Sequence, residues 1–189
     1  EAKAIDASIV EAALPAFIEP ELAKLKAKPP SGEGWIHEIK FDGYRLQVRL
    51  ENGKVTLLTR SGLDWTAKFG KAVLDAFAAL PVRSAVIDGE IVVERDTGAS
   101  DFSALQQDLS QGRDDRFVFY AFDLLYLDGH SLLNATLLDR KHLLETLIPG
   151  DDDKLRYSAH FNESGGLVLD HACRLSLEGV ISKLRDSKY

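Results

Sequence analysis

Apolar and polar positions alternate from Tyr44 to Leu50, and Trp35 to Phe41 has strand length and composition, with Asp42-Gly43 between the two runs. Glu51-Asn52-Gly53-Lys54 follows, and an Asn-Gly pair supplies the positive φ of a type I′ hairpin turn, so Val55 to Thr59 is expected to return as a strand. Ala85 to Glu94, Phe117 to Leu127, Leu155 to Phe161 and Gly179 to Leu184 are rich in β-branched and aromatic residues and predict further strands. Helical spacing takes over elsewhere. Phe69, Val73, Phe77 and Leu80 predict an amphipathic helix over Thr66 to Leu80 that stops before Pro81. Asp101 to Leu109, capped by Ser100 or Asp101, Leu137 to Leu147 and Gly166 to Leu175 are the other predicted helices. Residues 1 to 14 have an Ala-rich helical composition, and Pro15, Pro20, Pro29 and Pro30 mark an extended strap reaching Gly34. Strands joined by hairpins rather than regular βαβ units give an α+β class, with largely antiparallel sheets and flanking helices. The expected organisation is an N-terminal helix and Pro-rich strap over residues 1–34 and one core over 35–189.

A length of 189 residues fits one domain, and 45% hydrophobic with 28% charged residues describes a chain able to bury a sizeable core. No apolar run approaches the ~18 residues needed to cross a bilayer, and the first residues lack a basic segment followed by an apolar one. Neither a membrane nor secretion is indicated. Cys173 is the only cysteine, which excludes an internal disulfide or a cysteine-based zinc site and suits a reducing compartment, the cytoplasm. A net charge of -7 argues against a freestanding nucleic-acid binder. Positive charge is nevertheless concentrated. Lys40, Arg45, Arg49, Lys54, Arg60 and Lys68 face only Asp42, Glu51 and Asp64 within residues 40–68. Arg174, Lys183, Arg185 and Lys188 outnumber Glu178 and Asp186 near the end, so these two stretches offer places to meet a phosphate-bearing ligand.

The most informative segment is Glu38-Ile39-Lys40-Phe41-Asp42-Gly43-Tyr44-Arg45. On a strand, Glu38, Lys40 and Asp42 share one face and Ile39 and Phe41 enter the other, which sets a lysine between two carboxylates. By itself this is an ion-paired ladder on an exposed sheet face. Gly43 adds a position where backbone can approach a ligand closely. A lysine amine is a nucleophile only when deprotonated, whereas flanking carboxylates favour the ammonium form, so a divalent cation should offset them. Arg45 and Arg60 can present bidentate forks to ribose or phosphate oxygens. His37, His130, His142, His160 and His171 show no metal-ligand spacing and read as structural or solvated.

Lys40-Phe41-Asp42-Gly43 with Arg45 resembles the motif Lys-x-Asp-Gly-x-Arg of ATP-dependent DNA ligases, RNA ligases and messenger RNA capping enzymes. The superfamily's remaining motifs follow in order: Thr59-Arg60-Ser61-Gly62 resembles motif Ia, Asp88-Gly89-Glu90 motif III, Phe119 to Asp123 motif IIIa, and Glu178 to Lys183 motif IV. Phe17-Ile18-Glu19-Pro20, Asp64-Trp65-Thr66, Phe122 to Gly129 and Cys173-Arg174-Leu175 resemble one branch, the ligase domain of bacterial ligase D of nonhomologous end joining. Glu21 and Ser61 depart from that branch, where Gln and Asn are common.

The resemblance implies a covalent nucleotidyltransferase fold, similar to ATP-grasp, with Lys40 as the nucleophile that accepts AMP from ATP. It implies that Glu38, Ile39, Lys40, Arg45, Arg60, Glu90, Phe122 and Lys183 bind the nucleotide, Phe122 as a platform for adenine. Asp42 and Glu178 are implied as ligands of Mg²⁺ or Mn²⁺. The implied substrate is nicked or broken double-stranded DNA, in a monomeric, nucleoid-associated bacterial enzyme of the cytoplasm. A Ku-type end-binding protein and fused polymerase and nuclease domains are the implied partners. The superfamily pattern continues past motif IV into motif V and an oligonucleotide-binding-fold domain, so a chain ending at Tyr189 is expected to self-adenylate weakly and not to seal nicks. An RNA ligase, a capping enzyme and a non-catalytic interaction module of a repair enzyme are the alternatives at this point.

Overall fold

The computed structural model describes residues 8–189, which form two sheets and four helices. In chain order the elements are β1 (Val10–Glu11), β2 (Trp35–Lys40), β3 (Tyr44–Glu51), β4 (Lys54–Thr59), a 3₁₀ turn (Thr66–Lys68), α1 (Gly70–Ala78), β5 (Ser84–Val93) and α2 (Phe102–Gln111). They continue with β6 (Phe117–Leu127), β7 (His130–Ser131), α3 (Leu137–Leu147), β8 (Leu155–Tyr157), β9 (His160–Phe161), α4 (Gly165–Arg174) and β10 (Gly179–Leu184). The large sheet runs β1-β7-β6-β5-β3-β4 with β8 added alongside β6, and the small one runs β10-β2-β9. Every pairing is antiparallel except β6 with β8. The α+β class and the mainly antiparallel sheets thus hold.

The β3–β4 hairpin closes through Asn52 and Gly53, both at positive φ (50° and 80°), as a type I′ turn requires. Three expectations fail for local physical reasons. Residues 10–14 are extended rather than helical, because β1 pairs with β7 and the Ala12 amide donates to the Gly129 carbonyl at 2.9 Å; residues 1–7 lie outside the described residues. The helix expected over Thr66 to Leu80 is split, since Gly70 takes a φ of +70° and a side chain there would fall 2.0 Å from the Asp114 carboxylate. Leu155 to Phe161 divides between the sheets, β8 lying parallel to β6 and β9 antiparallel to β2.

The main core lies on one face of the large sheet. Leu46, Val48 and Leu50 alternate inward from β3, meet Ile87, Ile91 and Val93 of β5, and are covered by Phe69, Val73 and Phe77 at α1. Phe77 packs edge-on against Phe119 at 5.0 Å between centroids. The opposite face of β3 receives the strap. Arg49 Nε donates to the Pro15 carbonyl, Gln47 makes a reciprocal pair with the Ile18 backbone (2.9 and 2.7 Å), and Arg45 Nη1 donates to the Glu21 carbonyl. One period-two stripe therefore docks the Pro-rich segment across the strand.

Candidate active site

Lys40 is the last residue of β2 and lies opposite Gly179 of β10, so Glu178 is carried beside it and pairs with its ammonium group. Asp42 is past the strand end, its amide donating to Ser100 Oγ at 2.9 Å. Burial first, and then the neighbouring Glu178 charge, raises the Asp42 carboxyl above its ordinary value, with Lys40 opposing. Glu90 of β5 accepts from the Gly43 amide at 3.0 Å, and burial pushes its carboxyl up to about 7, against the pull of that amide, Lys40 and Arg45. Gly43 is needed for protein packing. A side chain there would fall 2.1 Å from the Ile91 carbonyl oxygen.

The expected shared face needs correction. Glu38 does not flank the Lys40 ammonium; its buried carboxylate instead meets Lys141 Nζ of α3 through Oε1 and Lys183 Nζ of β10 through Oε2, each at 3.0 Å. Glu178 contacts Lys40 in its place, with Asp42 acting through the field. Ile39, opposite Val180 in the small sheet, alternates to the face away from Glu38 and Lys40, so its side chain does not join the group.

Arg45 lies opposite Glu90 in the β3–β5 register and grips the buried Asp88 carboxylate with both prongs of its fork, Nε at 3.1 Å and Nη2 at 2.6 Å. Burial works against the Arg45 charge, but Asp88 outweighs it and holds its pKa above the ordinary value. Tyr189 donates its hydroxyl to the same carboxylate at 2.8 Å. Phe122 is the extra residue of a bulge in β6, since Asp123 faces Asp88 while Ala121 already faces Gly89. The bulge re-aims the ring, leaving it under Lys183 Nζ at 4.6 Å and the Arg45 guanidinium at 5.4 Å. Gly89 is required beside it, because a side chain would fall 2.2 Å from the Phe119 ring. Arg60 lies exposed just beyond β4 and is not drawn into this group.

Two consecutive residues of α3 were not singled out by the sequence reading. Arg140, fully buried, holds Asp123 through Nε and Nη2 at 2.8 and 3.0 Å, and Lys141 reaches Glu38. Their signal is positional: Leu137, Arg140, Lys141 and Leu144 are the buried stripe of α3, at helical spacing. Burial holds the Asp123 carboxyl above its ordinary value, with Arg140 opposing. Asp42 and Glu178 are hard oxygen donors with one amine beside them, a chemistry that suits Mg²⁺ or Mn²⁺. No three acidic, histidine or cysteine side chains converge as a ready-made metal site among the described residues, so the remaining ligands would come from phosphate and water.

A strand-end lysine among carboxylates, beside a bulge-presented aromatic ring and a second lysine, defines a nucleotidyltransferase-type domain. Comparison with known proteins narrows that class. The family model for the ATP-dependent DNA ligase domain matches residues 14–189. The multifunctional non-homologous end joining protein LigD of Pseudomonas aeruginosa is 44% identical over 177 residues, covering 93% of this chain and 21% of that protein. The crystal structure of the ligase domain of Mycobacterium tuberculosis LigD superposes with a TM-score of 0.71 at 41% identity, covering 82% of this chain and 49% of the other. A mycobacterial DNA ligase D solved with ATP and MES gives a TM-score of 0.70 at 37% identity, over 86% of this chain and 54% of that one. The chain belongs to the ATP-dependent DNA ligase domain family. It spans about a fifth of the length of the LigD relatives and about half of the solved ligase domains.

Proposed function

We propose that this chain carries the adenylation step of an ATP-dependent DNA ligase of double-strand break repair by end joining. The observation that supports it most is Lys40 at the end of β2, held by Glu178 and close to Asp42 and Glu90. Lys40 Nζ attacks the α-phosphorus of ATP, an N–P bond forms, the bond to the bridging oxygen breaks and pyrophosphate leaves. Before attack the ammonium group must lose a proton, and Glu178 Oε1, already in contact with it, is the acceptor at hand. Bound Mg²⁺ or Mn²⁺, with Asp42 and Glu178 as its protein ligands, would neutralise carboxylate and phosphate charge. Adenine would stack on the face of Phe122 in place of the two cations, with Lys183, held by Glu38, facing the phosphates and Arg45, held by Asp88, beside the ribose. Arg60, exposed beyond β4, would close over the nucleotide from the outside.

In the parent protein the AMP would pass to the 5′-phosphate of a DNA break, and the 3′-hydroxyl would then expel it to seal the strand. We assign the DNA ends to a Ku-type partner and the enzyme to the bacterial nucleoid as a monomer, on the strength of the end-joining relatives. Intact-protein mass spectrometry after incubation with ATP and Mg²⁺ tests the central step. An AMP adduct on Lys40, lost in Lys40→Ala, is expected; an adduct retained in Lys40→Ala, or no adduct in the parent chain, would refute it.

A further inference from the structure

We propose that Lys141 is a positioning residue that, by sharing the Glu38 carboxylate with Lys183, leaves Lys183 with uncompensated positive charge for the phosphates of the nucleotide. One carboxylate meets two ammonium groups, Lys141 at Oε1 and Lys183 at Oε2, both at 3.0 Å. The cluster carries a net charge of one positive unit, and burial decides where that surplus is felt. Lys141 is wholly buried, while the Lys183 side chain keeps 23% of its exposure. The Lys141 ammonium also donates to the Ser158 carbonyl at 2.9 Å and the Phe122 carbonyl at 3.4 Å, and sits 4.8 Å from the Tyr157 ring centroid. Its contact with Oε1 has ion-pair distance but not hydrogen-bond geometry, so the carboxylate is held there chiefly by charge.

Were Lys141 absent, Glu38 would neutralise Lys183 one to one. With Lys141 present, the same carboxylate fixes the position of Lys183 without cancelling its charge. Burial holds the Lys141 pKa below its ordinary value, with Glu38 opposing.

The inference rests on Lys183 meeting phosphate in the proposed adenylation site, and calorimetric binding of ATP and of adenosine to the full chain tests it without requiring turnover. Lys141→Met is expected to weaken ATP roughly tenfold or more, the size of one charge-assisted contact, and to leave adenosine unchanged. Lys141→Arg should retain most of the ATP affinity. Glu38→Gln combined with Lys141→Met should bind ATP like Glu38→Gln alone, because Lys183 is unpaired in both. The proposal is overturned if Lys141→Met binds ATP like the parent, or if ATP and adenosine weaken together. Should Lys141→Met fail to fold, Glu38→Gln with and without Lys141→Met must bind ATP alike to within about threefold, and a larger gap refutes the idea. A parent chain that binds ATP but forms no Lys40 adduct fails the adenylation reading alone; one that binds no ATP fails both.

Discussion

The two sheets use similar strands but are held by different forces. In the large sheet the buried positions of β3, β5 and β6 are largely Leu, Val, Ile and Phe, and aromatic rings lock edge-on above them. In the small sheet the buried positions of β2 are Ile36, His37 and Glu38, and no residue of β10 is fully buried. His37 is kept near neutral by burial, which lowers its pKa, and its Nδ1 is 2.8 Å from Ser182 Oγ. Apolar burial is nondirectional and supplies stability. Buried ion pairs supply little net stability, but they fix where each charge stands. The large sheet accordingly supplies the packed platform that presents Arg45, Glu90 and Phe122, and the small sheet with α3 places Lys40, Glu38 and Lys183.

The largest expected effect tests the platform. Phe119→Ala should cost about 3–5 kcal/mol in a denaturant titration, because Phe119 is wholly buried against Phe77. A loss below ~1 kcal/mol would mean that the ring is not part of a close-packed core. Next comes the ionic region, where two variants separate stability from placement. Glu38→Leu should cost about 3 kcal/mol by leaving Lys141 uncompensated, whereas Glu38→Leu with Lys141→Met should cost less than ~1 kcal/mol. If the double change costs as much as the single one, the pair is a stabilising element and the contrast between the sheets fails.

Glu90 gives a smaller effect with a pH signature. Its ordinary value is 4.5 and burial raises it to about 7 in the fold, so the native chain holds a proton that the unfolded chain has lost. Stability therefore falls as pH rises from 4.5 to about 7 and is level above that. Glu90→Gln should remove this fall and gain roughly 1–3 kcal/mol at pH 8 relative to the parent, with no gain at pH 4. A gain of equal size at both pH values would show that the carboxyl is not buried in its neutral form. The smallest effect belongs to the solvent-facing pair of Lys71 and Asp75 on α1. Lys71→Ala should shift stability by less than ~0.5 kcal/mol and leave nucleotide binding untouched.

The elements were legible where their patterns are local. Phe117 to Leu127, Leu137 to Leu147 and Gly179 to Leu184 were delimited from sequence to the residue, and the Asn52-Gly53 turn needs only the φ preference of those two residues. Lys40, Arg45, Glu90, Phe122, Lys183 and Glu178 were legible through motifs, and the fold gathers them. Their partners were not. Glu38 finds Lys141 across α3 and Lys183 on β10, contacts that no window of sequence contains. The bulge that turns Phe122 out of its strand depends on how β6 meets β5 at Gly89. Lys141 is buried only because α3 docks with its stripe of Leu137, Arg140, Lys141 and Leu144 inward.

By itself the sequence determined the elements, the α+β class and the chemical groups available for nucleotidyl transfer, because propensity, turn chemistry and motif identity act over a few residues. Tertiary structure alone decided which charges neutralise which. Lys40 meets Glu178 rather than Glu38, Arg45 is committed to Asp88, and Glu38 is divided between two lysines. Such pairings depend on distance and burial, which exist only after distant chain segments have packed together, 43 residues apart for Arg45 and Asp88 and 138 for Lys40 and Glu178.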